Sequence, residues 1–184
     1  MTKSIRRNDS NYSTRYEVTI DKDHKYYGAA LLQIAEYDQF TAINAVKFLG
    51  KTTRCSFVIN TGIGIYLRYR SETNPTCHSE FSFHFNQNNL EELEELNKRM
   101  EHVFIVLICD EAKGICCIPY EMFCDLVDKR RKAKDEIENI YTILVTAQAR
   151  QSFHVYINCP GKRNTIISGK HVVPRTTFPK CLFG

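Results

Sequence analysis

The residues with the most obvious chemical use in this chain are cationic. Lys129, Arg130, Arg131 and Lys132 are consecutive, and Lys162, Arg163, Lys170 and Arg175 follow further on. Phosphate contact needs exposed lysine and arginine and little else, so a surface built from these eight residues could hold DNA or RNA. Their neighbourhood sharpens the point. Residues 86–128 carry ten acids and three bases, whereas residues 129–184 carry eleven bases and three acids, with none after Glu138. Such an asymmetry marks either a polyanion-binding face or two halves whose charges offset each other in contact. On a helix, the run 129–132 would also complement the negative end of its own dipole, with Asp135, Glu136 and Glu138 as counter-charges.

Thiols and imidazoles are plentiful, at eight Cys and six His, but their spacing does not organise them. There is no Cys-x-x-Cys pair. Cys77-His78 with His84 is the nearest cluster, and Cys116-Cys117 would point to opposite faces of a strand, so no metal site is expected. Cys109, Cys117 or Cys159 could meet His102 or His154 as a nucleophile–base pair, yet nothing selects one pairing. Cys109, Cys116 and Cys117 sit in apolar runs, and no apolar stretch follows the charged start Met1–Arg7. Free, mostly buried thiols in a cytoplasmic protein are the expectation. No run approaches the roughly 18 apolar residues of a membrane span.

The elements that must position these groups follow from hydrophobic period. Helical spacing covers Lys25–Phe40, with Asp23 as a possible cap. Thr41–Leu49 is ambiguous. Arg54–Asn60, Ile65–Arg70 and Phe81–Phe85 alternate as strands, the last with three phenylalanines on one side. Leu90, Leu93, Leu96 and Met100 form the stripe of an acidic helix from about Asn89 to Met100. Val103–Cys109 is apolar throughout, as a central strand covered on both faces would be. A strand at Ile115–Ile118 and a helix from Pro119 come next, and then β-like segments at Tyr141–Thr146, Phe153–Asn158 and Ile166–Val173. The expected architecture is one α/β domain over residues 22–184 with a mixed central sheet in helix–strand–strand–strand–helix–strand order. A core at about 26–128 precedes a basic, β-rich extension at about 139–184, and residues 1–21 form a polar tail.

From Tyr26 to Asp110 this element order resembles the restriction-endonuclease-like PD-(D/E)XK nuclease superfamily. The resemblance implies a glutamate on the first helix, an aspartate at the second strand and Glu/Asp-x-Lys on the third, together holding a divalent metal. Glu36, in Leu32-Gln-Ile-Ala-Glu-Tyr37, matches the helix position. No acid stands at Asn60–Gly62, and Glu80 is followed two residues later by Ser82 instead of lysine, while Arg68 and Arg70 add charge from the neighbouring strand. Without the central aspartate a magnesium site is incomplete. The resemblance therefore implies a catalytically degenerate domain that binds nucleic acid and needs no cofactor. Magnesium would enter only in a divergent nuclease using Glu36, Glu80 and His84, with Arg68 beside them. The competing expectation is an interaction module that contacts a protein partner, or a second copy of itself, through Leu90–Met100 or an exposed edge strand. Ile63–Tyr69 and Val173–Pro179 also resemble segments of uncharacterised bacterial proteins, which implies no activity.

Overall fold

The computed structural model describes residues 19–48, 51–74, 79–162, 165–167 and 169–184. Arg163, Cys77, His78 and most of the N-terminal tail lie outside these. The chain is α/β, as its periodicities require. Helix α1 (Lys22–Ala35) is capped by Asp21, which accepts from His24 N while the His24 imidazole returns to Asp21 N. The cap is thus two residues earlier than expected, because Asp21 can form this reciprocal box and Asp23 lies inside the first turn. The ambiguous stretch after it is a strand, β1 (Ile43–Phe48), paired antiparallel with β2 (Lys51–Ile59). β2 pairs with β3 (Ile63–Arg70), and β3 pairs in parallel with β5 (His102–Cys109) through a crossover that contains β4 (Glu80–Asn86) and α2 (Gln87–Arg99). β6 (Gly114–Pro119) closes this five-stranded mixed sheet, in the order β1-β2-β3-β5-β6.

β4 does not join it. It pairs with β7 (Ile140–Thr146) in a second, antiparallel sheet of order β4-β7-β8-β9, with β8 at Phe153–Tyr156 and β9 at His171–Val173. The basic extension is therefore not peripheral: it supplies three of the four strands that sandwich the main core.

Two apolar layers flank the first sheet. On one face Ile65, Leu67, Val106 and Ile108 meet Tyr27, Ala30 and Ile34 of α1, together with Phe178 and Leu182 near the C-terminus. On the other, Tyr66, Ile105 and Leu107 face Phe81, Phe83 and Phe85 of β4, Leu93 and Leu96 of α2, and Phe123 and Leu126 of α3 (Tyr120–Lys134). Cys116 belongs to this second layer and Cys117 to the first, as alternation demands. β5 is the buried centre, except that His102 at its start is exposed and Phe104 is only half-buried beside the hollow at Gly62 and Phe183. Gly64 marks where α2 crosses β3, since a Cβ there would lie 2.9 Å from Leu96 Cγ. That approach sets α2 close on the strand, with its N-terminus toward the far end of β3.

Candidate functional site: an arginine cleft

Strand parity decides what β3 can present. Ile65, Leu67 and Tyr69 face α1, so Tyr66, Arg68 and Arg70 share the opposite side. Tyr66 is fully buried under α2, and its hydroxyl donates to Glu92 Oε2 at 2.7 Å. Arg68 and Arg70 emerge beyond the core, where the two sheets part. Ser56 of β2 pairs with Tyr66, so Arg54, two residues earlier, lies on the same side. The cleft that results measures about 520 Å³ and is lined by Arg54, Arg68, Arg70, His84, Asn86, Asn89, Tyr27, Asp23 and Ile140, among others.

The arginines are held by neutral groups. Arg70 Nε donates to the Ser82 carbonyl at 2.6 Å, and Arg68 Nη2 donates to the His84 carbonyl at 3.3 Å and to Asn89 Oδ1. Both accepting carbonyls belong to the free edge of β4, so the guanidiniums stand in for a missing neighbouring strand. Arg68 also lies over the Tyr66 and Phe85 rings at 5.7 and 5.6 Å. Its Nε is buried with no hydrogen-bond partner among the described residues. Neither Arg68 nor Arg70 has a carboxylate partner among those residues. Arg54 pairs with Asp21 at 2.5 Å in an exposed bridge.

His84 completes the cleft, its Nδ1 2.9 Å from Thr142 Oγ1. Burial, followed by the positive charge of Arg70 and then Arg68, holds its imidazole below the ordinary histidine range. The N-terminal turn of α2 opens onto the same space through Asn86 and Asn89, adding the positive end of a helix dipole. Two guanidiniums without an acid partner among the described residues, a third bridged to Asp21, a helix N-terminus and a histidine that resists protonation, with Asp23 as the lining acid, describe a pocket of net positive potential. Such a pocket suits an anion.

The residues expected to act together are only partly gathered. Arg68 and His84 share the cleft. Glu80 is on the same face of β4 as His84 but four residues away, about 13 Å at strand rise. It accepts from Asn74 Nδ2 at 3.1 Å and from the Tyr156 hydroxyl in an adjoining hollow. Glu36 is the exposed C-cap of α1, about 20 Å along the helix from Asp23. The position expected for the metal aspartate is occupied by Asn60, whose φ is +53°. Its side chain accepts from Thr41 N, Thr41 Oγ1 and Ala42 N, staples the loop before β1, and sits at the opposite end of β3 from the arginines. Among the described residues no three acids, histidines or cysteines come together as metal ligands. A divalent cation does not fit beside Arg68 and Arg70.

The C-terminal basic residues are mostly engaged internally. Arg130 makes a bidentate pair with Glu138, at 2.5 and 2.8 Å, and donates to the Asn158 carbonyl. Lys129 pairs with Asp125, Arg131 with Asp128 and the Tyr141 hydroxyl, and Lys134 with Glu136 and Glu138. Arg175 donates to the carbonyls of Gln151, Gln148 and Ala112 and covers the Phe153 ring at 4.6 Å. Lys170 rests 4.8 Å over the Tyr156 ring. Lys132 is exposed and makes no ion pair among the described residues, and Lys162 lines the hollow that contains Glu80.

Ile140, 54% exposed, lines both this hollow and the arginine cleft, so the two adjoin at that residue. Compared with protein-family models, curated proteins and solved structures, the chain matches none of them.

Proposed function

We propose that this protein binds nucleic acid, without cleaving it, through the cleft lined by Arg54, Arg68 and Arg70. The observation that carries the reading is the pair of β3 guanidiniums without carboxylate partners among the described residues. Arginines that satisfy only carbonyls and an amide keep their full charge for an external anion. Beyond Ile140 an adjoining hollow reaches Lys162; it leaves room for the rest of a strand but carries little net charge. In this reading the domain is a nuclease-like one whose acids have dispersed, working in the cytoplasm. No helix among the described residues is long and apolar enough to cross a membrane.

A protein partner at α2 has less to hold. Leu93 and Leu96 are buried and Leu90 and Met100 pack on the core, while the outer side carries the Glu94–Lys98 and Glu95–Arg99 pairs.

The test is titration of labelled single-stranded and duplex oligonucleotides against salt. Three phosphate contacts on a single strand give a log–log slope of about −2. Arg54→Glu and Arg70→Ala should weaken binding alike on unrelated sequences, because phosphate contacts do not read bases. Absence of binding to either form at low salt would end this reading and favour the interaction module.

A further inference from the structure

Resting on the nucleic-acid reading, we propose that the arginine cleft recognises the terminal phosphomonoester of a strand, not the diesters along it. Three observations converge. The positive charge is concentrated in the cleft: Arg68 and Arg70 project side by side from i and i+2 of β3, and Arg54 is on the adjacent strand. The adjoining hollow carries Glu80 and Glu138 and is much less positive. A uniform diester track would call for cations spaced along its whole length. A terminal phosphate, by contrast, puts about −1.5 to −2 charges and three acceptor oxygens in one place.

The donors match that count. Both Nη atoms of Arg70 and Nη1 of Arg68 meet no acceptor among the described residues. The N-terminus of α2 adds its dipole on the same side through Asn86 and Asn89. The volume agrees as well. About 520 Å³ is within the range of small-ligand pockets and holds a terminal nucleotide, with the remainder of the strand leaving over Ile140.

The experiment compares single-stranded oligonucleotides of one sequence carrying a 5′-phosphate, a 3′-phosphate or hydroxyls at both ends, by fluorescence anisotropy with the full chain. One phosphorylated end should bind about ten-fold more tightly than the hydroxyl form, the value of one strong charge-assisted contact. Arg54→Ala and Arg70→Ala should each reduce that ratio to below about two-fold while binding of the hydroxyl form changes less. Because Arg70 also caps the edge of β4, Arg54, held only by an exposed pair, provides the variant that keeps the fold. Equal binding of all three oligonucleotides would overturn the terminal-phosphate inference and leave the nucleic-acid reading standing. No binding of any of them would overturn both.

Discussion

Arginines occur in two settings in this molecule. Those of α3 and the C-terminal segment face the protein: Arg130 is clamped to Glu138, Arg131 to Asp128 and Tyr141, and Arg175 to three carbonyls. Those at the end of β3 face a cleft and touch no acid among the described residues. By count the first region is the more basic, but Arg130 and Arg131 there are paired with acids, whereas among the described residues Arg68 and Arg70 are not. The lesson is that a run of cations marks a binding surface only when the fold keeps counter-charges away from it.

The largest effect that would sharpen this contrast is at Arg130. Its side chain and that of Glu138 are only 19% and 12% exposed. Arg130→Ala leaves Glu138 with Lys134 alone and takes the donor from the Asn158 carbonyl, and should cost roughly 2 kcal/mol in urea unfolding while leaving oligonucleotide affinity of the folded protein unchanged. A loss of affinity with stability intact would reverse the two roles. Next is Arg54→Ala, which should lower affinity about ten-fold and change stability by less than about 1 kcal/mol, because its bridge to Asp21 is exposed. If unfolding were the main consequence, the cleft would be structural.

A third test uses pH. The folded-state pKa of His84 is depressed, so between that value and the unfolded value near 6.5 the unfolded chain binds more protons. Its contribution to stability is complete above about pH 6.5 and is lost as pH falls through the folded value. Unfolding midpoints should therefore fall less on acidification in His84→Gln than in the parent, and identical profiles would remove His84 from the positive field of Arg68 and Arg70. The smallest effect belongs to Lys129→Ala. This partly exposed i, i+4 partner of Asp125 should contribute no more than about 0.5 kcal/mol and nothing to binding.

Much of the framework was legible in the chain. The alternation of Phe81, Phe83 and Phe85, the stripe of Leu93 and Leu96 and the apolar run of β5 all report burial, and burial is what period encodes. Partnership is harder to read. Nothing local in Phe81–Phe85 says that β4 will pair with Tyr141–Thr146 instead of a strand of the first sheet, since that choice is made by residues more than fifty positions apart. The same limit explains the site. Arg68-Tyr69-Arg70 on a strand following buried Ile65 and Leu67 was the available signal, because its parity sends both arginines to one face. Arg54 and Asn89 join them only through tertiary pairing. The run 129–132 stood out as a block of cations, and although Glu138 was already a candidate counter-charge, only the folded chain shows that it clamps Arg130 while Asp125 and Asp128 take Lys129 and Arg131.

The placement of core and cleft on one strand constrains how such a protein can diversify. Along β3, Tyr66 anchors one layer, Ile65 and Leu67 the other, and the same two-residue pleat continues unbroken to Arg68 and Arg70. Inserting a single residue upstream of Arg68 would exchange the arginines for Leu67 and Tyr69, deleting one would exchange them for Tyr69 and Ser71, and either would drive charge into the α1 layer. Lineages descending from this chain can therefore retune the cleft by point substitution but not by indels within β3. Length variation should collect instead in connections such as residues 71–79, between β3 and β4, which can change without altering that phase.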